Sequence, residues 1–426
     1  MLNRTLKYTL AFTTAIPCMT ASATTLTVNT DGTADYQHIQ DAVDAASDGD
    51  IIAVADGTTY TDTDGDGWVV EIPSRLNVTI NPDVEDGMFQ IDGDDSAGGF
   101  NYRFSGVSLE GVTFVDCTAE DGGGIYLLAD DVETFELANC IFESCHAIGA
   151  AAKGGALCIQ GASTSAPINA TVTNCQFSGC SSESSGGAIF ANYSTLLIDN
   201  AEFTGCSAKK GSAVHSRGVS IEINNSIFAD NEWTNTSGSV VIMYNGVESS
   251  EISNCQFSSN KPASSSLDGQ LIERRYGDFV LNNCSFTDNV DLKRGCIFLR
   301  DLDLTDTATI SDCSFSGNTT LNAYSTSCIL AETGVNLTLS STQMCDHEAN
   351  TEISGSYTDG GSLNLGQWCC PGDIDEDGDI DADDLVICIA GWDSGLGSDD
   401  REDLDRDESI TVVDVLTLLN SWGPCS

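Results

Sequence analysis

The sequence predicts an all-β fold, a right-handed parallel β-helix with an N-terminal capping helix, followed by a small α-helical module. Three features point there. The phrase Asn-x-x-Phe returns along the 426 residues, with Phe142, Phe177, Phe203, Phe228, Phe257, Phe286 and Phe315 in step, Phe114 before them and Met344 after, and the last four steps are 29 residues each. A glycine phrase recurs between these, at Gly123-Gly124, Gly154-Gly155, Gly186-Gly187, Gly211-Ser212, Gly238-Ser239 and Gly295-Cys296. At Cys369-Cys370-Pro371 the composition changes sharply and Asp-rich loops begin. A fixed period of this size marks a solenoid with one supersecondary unit per repeat.

Residues 1–23 read as a secretory signal peptide. They have a basic start (Arg4, Lys7), an apolar run from Tyr8 to Met19, and Ala21-Ser22-Ala23, small residues of the kind a signal peptidase cuts after. The apolar run is too short, and too broken by Thr and Pro17, for a membrane span. A lipid anchor at Cys18 is the other reading, and Pro17 fits that cleavage motif poorly. Nothing after residue 23 resembles a membrane span. The expected location is extracellular, with attachment to the cell surface left open.

The chain carries 16 basic and 65 acidic residues, a formal net charge of −49. The leader holds two of the basic residues and no acid, so its removal moves the charge to −51. Such a surface repels phosphates and excludes nucleic acid as a partner, and it disfavours anionic ligands unless cations intervene. It suits either solubility or calcium, a hard cation that prefers oxygen ligands.

Residues 24–368 are expected to form the β-helix. Tyr36, Ile39, Val43 and Ala46 make an apolar stripe on a short helix that would cover the open end of the solenoid. The stretch DGDIIAVADGTTY (48–60) follows as first strand and turn. Inside each repeat an apolar residue lies two before the Asn (Leu137, Val172, Ile198, Ile223, Ile252, Leu281, Ile310), and a small residue, a free position and Phe come after it. Both halves alternate with period two, but the inward parity slips at the Asn, which is therefore a corner. Asn tolerates the left-handed conformation a corner needs, and its amide can bond the equivalent amide one coil away. That predicts a ladder through Asn139, Asn174, Asn200, Asn225, Asn254 and Asn283, with Asp312 last.

Three residues after Phe stand Cys117, Cys145, Cys180 and Cys206 in early coils, and Asn231, Asn260, Asn289 and Asn318 in later ones. In-register neighbours are about 4.8 Å apart with parallel Cβ vectors, further than the roughly 3.8 Å between the Cβ atoms of a disulfide. Stacked reduced thiols are therefore expected in preference to a disulfide ladder or a metal column. Of 18 cysteines, Cys370 and Cys425 bracket the last module and are placed to join its ends.

The pairs GGAL, GGAI and GSAV with FSSN (257–260), FTDN (286–289) and FSGN (315–318) resemble the GGA[ILV] and FxxN repeats of the polymorphic outer-membrane protein family, over about residues 110–345. That resemblance implies a β-helix of the adhesive type, although no C-terminal membrane barrel follows. The opening segment is similar to that of carbohydrate-active β-helices, which include enzymes and non-enzymes.

In residues 369–426, Asp373, Asp375, Asp377, Asp379 and Asp384 fall at loop positions 1, 3, 5, 7 and 12, and Asp403, Asp405, Asp407, Ser409 and Asp414 repeat them 30 residues later. A 12-residue loop with these oxygens wraps a Ca2+ ion, so one ion is expected per loop. Each loop runs into an amphipathic helix. Asp at position 12 and the duplication resemble type I dockerins, which implies an EF-hand-like dockerin module and a cohesin-like protein or cell-surface component as partner. Glu408 stands where the turn prefers Gly, and the helices lack a clear Ser-Thr or Lys-Arg recognition pair. A calcium-stabilised cap or stalk is the alternative. A further acidic turn, DTDGDG (62–67), reads as a calcium loop or as a solvated turn.

Catalytic groups on a β-helix should recur at whole-coil spacing, and no such cluster stands out. Arg274 with Glu273 and Tyr276, and Arg300 with Asp301 and Asp303 about one coil later, are the nearest candidates against a reading as solvated outer charges. His146, His215 and His347 are isolated. Two functions are open: a surface, adhesion or carbohydrate-binding protein, with polysaccharide as a ligand of the β-helix, or a polysaccharide lyase or glycoside hydrolase delivered by the same module.

Overall fold

The computed structural model describes residues 23–73, 76–103, 107–130, 134–244, 249–267, 269–290, 292, 294–300, 306–319, 328–344, 353–365, 372–375, 379–392, 403–404 and 409–424. It is a parallel β-solenoid. Each turn contributes one strand to each of three long sheets, of 13, 12 and 11 strands, and every strand pairs in parallel with its equivalent one coil away. One turn runs through Ile168–Thr173 in the 13-stranded sheet, Gln176–Ser178 in the 12-stranded sheet and Ile189–Asn192 in the 11-stranded sheet. Three strands per coil are the expected number. The central coils add a fourth, short sheet of six strands, which includes Ser181–Ser185.

The Asn corners are real. Asn139, Asn174, Asn200, Asn225, Asn254, Asn283 and Asp312 all have φ between +50° and +56°. The expected ladder along them is interrupted: Asn174 donates to Asn139 at 3.1 Å, Asn200 to Asn174 at 2.8 Å and Asn283 to Asn254 at 2.7 Å, while Asn225 turns to Asp199 at 2.7 Å. A second left-handed corner lies two residues after each Phe, at Asp116, Ser144, Gly179, Gly205, Asp230, Ser259, Asp288 and Gly317. Only Asp, Ser and Gly occupy it, residues that are small or can bond their own backbone.

Between the two corners the phenylalanines point inward and form a continuous stack from Phe114 to Phe315, with ring centroids 4.5–4.9 Å apart and planes within 2–8°. Met344 continues the column. The slot after the second corner is fully buried and explains the change from Cys to Asn. Cys145, Cys180 and Cys206 point their thiols at the carbonyls of Phe114, Phe142 and Phe177 one coil below, at 3.7, 3.6 and 3.5 Å. Asn231 makes the same bond to Phe203 at 2.9 Å. The amide does more than the thiol: its oxygen also accepts from the backbone N–H and the amide of the coil below, as Asn260 does for Asn231 at 2.9 and 3.0 Å. Every described cysteine is buried and unpaired, the expected stack of free thiols. Cys370 and Cys425 lie outside the described residues.

Helix α1 (Ile39–Ala45) buries Ile39, Ala42 and Val43 against the first strands. The C-terminal segment has its own small core of Ile374, Ile380, Cys388, Ile410 and Leu418, carried by α2 (Ala382–Ala390) and α3 (Val412–Asn420). Ile380 and Ile410 occupy position 8 of the two loops, a pairing of buried residues not singled out from the sequence.

Asn260→Leu should destabilise the solenoid by about 2–4 kcal/mol, because it strands the Phe228 carbonyl and the Asn231 N–H in a dry core. Asn260→Cys should cost clearly less, since a thiol reaches the same carbonyl. Urea unfolding of the two variants checks this, and equal losses would contradict the shared role of the slot.

Candidate functional site

The first C-terminal loop brings carboxylates together before its helix. Asp373, Asp375 and Asp384 each place an oxygen within 4.8 Å of the others, with Asp373 and Asp384 buried. Asp384 is tied down by the backbone: its Oδ1 accepts from Ile374 N at 2.5 Å and Asp375 N at 3.2 Å, and its Oδ2 from Asp381 N at 2.8 Å. That last bond completes a capping box at the start of α2. Asp414 does the same for α3, accepting from Thr411 N at 2.7 Å, and both Asp403 and Asp414 are fully buried. Buried carboxylates this close repel one another unless a cation lies between them, so the residues present fit a Ca2+ ion. Ser409 is exposed. Asp377, Asp405 and Asp407 lie outside the described residues, as does the side chain of Asp379.

Helices α2 and α3 also carry matching exposed apolar residues: Val386, Ile389 and Trp392 on the first, Leu416, Leu419 and Trp422 on the second. Each pair is 30 residues apart, the spacing of the loops themselves.

On the solenoid the chemistry gathers on the outer face of the 11-stranded sheet. Near its start a groove of about 710 Å³ is lined by Trp68, Tyr126, Arg103, Asp95, Glu120 and Asp121. Trp68 can lie against the sheet because its neighbour is Gly98, where a Cβ would come within 2.4 Å of the ring. The Trp68 and Tyr126 rings are 6.5 Å apart and tilted by 40°. Burial raises the carboxyl of Asp121 above its ordinary value, partly offset by Lys153.

The expected grouping of Arg274 with Glu273 and Tyr276 is corrected by strand parity. Arg274 pairs in register with Met243 and Leu299, both core residues, and points inward, where burial pulls it down to about 10. Glu273 points outward but is fully buried. It binds Arg275 at 2.6 Å, faces Arg300 at 3.8 Å, and accepts from Gln270 at 2.9 Å and Tyr244 at 3.4 Å. Tyr276 is a turn residue with φ of +68°. Asp301 and Asp303 lie outside the described residues, as does His347. His146 bonds Ser181 at 2.8 Å, and His215 is buried between Phe190 and Tyr244 with neither ring nitrogen hydrogen-bonded. In DTDGDG, the backbone N–H groups of Asp64, Gly65 and Gly67 satisfy Asp62, as in a self-contained Asp-rich turn.

A solenoid of in-register parallel strands with these buried corner columns defines a β-helix protein. The chain belongs to the family described as right handed beta helix region, whose profile matches residues 98–270 and 156–356, together more than half of its length. No curated protein matches it.

Burial, with Arg217, Lys210 and Arg275 adding to it, pushes His215 from 6.5 down to about 3. The fold keeps the ring neutral where the unfolded chain takes up a proton. The contribution is fully present above pH 6.5 and is lost as pH falls toward 3, with a slope of about 1.4 kcal/mol per pH unit. His215→Phe should flatten that part of the acid-side stability curve. Parallel wild-type and variant curves between pH 7 and 4 would contradict it.

Proposed function

We propose that this is an exported β-helix protein that binds carbohydrate on the outer face of its 11-stranded sheet and is held to a partner by a calcium-folded C-terminal module. In this reading residues 1–23 are the signal peptide, 24–368 the β-helix with α1 closing its first coil, and 369–426 the dockerin-like module. The observation that carries it is the groove at Trp68 and Tyr126. Two half-buried aromatic faces stand beside the carboxylates of Asp95, Glu120 and Asp121, and apolar ring faces with flanking acceptors suit the CH-rich faces and hydroxyls of a sugar.

The module reading is supported by the convergence of Asp373, Asp375 and Asp384 and by the duplicated apolar triads on α2 and α3. Exposed apolar surface of that kind marks a contact with another protein, a cohesin-like domain or a cell-surface component. Ca2+ would supply the charge that lets the loops close, with Asp373, Asp375, Asp384, Asp403 and Asp414 as its described ligands. The protonated Asp121 near Glu120 and Asp95 supports the second reading, hydrolysis or lyase chemistry on a polysaccharide, because a carboxyl kept neutral by burial can act as a general acid.

A glycan array should show saccharide binding by the protein that Trp68→Ala and Tyr126→Ala weaken by roughly tenfold or more. Binding that survives both changes would remove the groove from the proposal. Release of reducing or unsaturated ends, lost in Asp121→Asn, would select the enzymatic reading. Calorimetric titration with Ca2+ should find one ion per loop, with one lost in Asp403→Ala. Unchanged stoichiometry would overturn the calcium assignment.

A further inference from the structure

In a chain of net charge −49, six of its 16 basic residues gather on or beside one stretch of the 11-stranded sheet: Lys209, Lys210, Arg217, Arg275, Arg294 and Arg300. Strand register sets three of them in one outward column. Asn192 pairs with Arg217, Tyr244 follows on the next coil, and Arg275 pairs with Arg300. Coils are about 4.8 Å apart, so Arg217 to Arg300 spans about 14 Å along the helix axis. Lys210, Arg217 and Arg275 all lie close enough to act on His215 at the centre of this face.

The cations are held in place by rings. Arg275 lies 4.1 Å over Tyr244, and Arg294 and Arg300 lie 5.1 and 5.3 Å over Phe298. Glu273 and Glu332 engage Arg275 and Arg300, whose side chains stay 30% and 34% exposed. Lys209, Lys210 and Arg217 are exposed and form no ion pair among the described residues. On the N-terminal side the same column continues as amides, Asn192 donating to Gln160 at 3.2 Å.

We propose that this face, from Gln160 to Arg300, binds a linear polysaccharide bearing carboxylates, laid along the helix axis with its carboxylates on the cations and its hydroxyls on the amide column. Pinned cations lose little freedom on meeting an anion, which favours binding. A single-stranded nucleic acid would need open aromatic platforms for its bases, and here Phe190 and Phe298 are buried, only 2% and 4% exposed. The high acidity elsewhere confines an anionic chain to this strip. The inference rests on the carbohydrate reading for its ligand class and on separate residues for its site.

The test uses the full chain, an oligogalacturonate too short to gel, and calorimetry at low and high salt. Wild type should bind, more weakly as NaCl rises, and the triple change Lys209→Glu, Lys210→Glu and Arg217→Glu should reduce affinity by roughly tenfold or more. Lys261→Glu, an exposed lysine on the six-stranded sheet, should have little effect, and so should Trp68→Ala. Circular dichroism of the triple variant should match wild type, since its three side chains pack on nothing. Binding lost in Trp68→Ala and kept in the triple variant would overturn the strip while leaving the carbohydrate reading intact. No oligogalacturonate binding, equal binding of a neutral glucan, or equal binding of single-stranded DNA would each overturn it as well.

Discussion

The rest of the structure depends on in-register parallel pairing between coils. Because each strand meets its equivalent one coil away, every sequence position becomes a column, and each residue must live beside copies of itself about 4.8 Å off. Apolar positions gain from this: phenylalanine stacks on phenylalanine for eight coils. Amides gain too, since one side donates what the other accepts. Charges lose. Two like charges at that spacing repel by about 3–4 kcal/mol at an effective dielectric near 20, so a charged column needs spacers or a shared counterion.

The outer face of the 11-stranded sheet uses both. Tyr244 separates Arg217 from Arg275, and where Arg275 and Arg300 stack directly, Glu273 serves them together. A fully buried carboxylate would be costly alone. Here it is the residue that lets two arginines stand in register, with Gln270 and Tyr244 taking its second oxygen. The buried, neutral His215 follows from the same arrangement, since a proton there would add another positive charge to the group.

Much of this was readable from the sequence because column residues repeat. The period, the Asn corner, the inward Phe and the Cys-to-Asn slot all appear as recurring letters. The second corner was missed because Asp, Ser and Gly share a backbone tolerance and no common side chain. Arg274 was assigned to the surface by its charge, although parity with Ile272, which faces the core, put it inside. The Trp68 groove was not legible, since it joins Trp68, Asp95 and Tyr126 from three coils that share no phrase. In the C-terminal segment the loop spacing placed Asp384 and Asp414 correctly at the helix starts, but their backbone bonds and the exposed triads on α2 and α3 needed coordinates.

The duplicated segment obeys a different constraint from the solenoid. Its two cores are joined through Cys388 and Leu418, equivalent positions on α2 and α3 that meet across an approximate repeat. Only five residues are fully or nearly buried there, too few to offset the ordering of two loops by apolar burial alone. The loops are also the most acidic part of the chain, so without compensation their carboxylates oppose closure. The same ion that would neutralise Asp373, Asp375 and Asp384 would fix the loop that leads into α2, and the loop before α3 repeats the arrangement with Asp403 and Asp414. Metal binding, helix orientation and display of the apolar triads are then one coupled event. The solenoid, by contrast, owes its order to stacking and needs no ion, which separates a rigid ligand-bearing surface from a conditional attachment on the same chain.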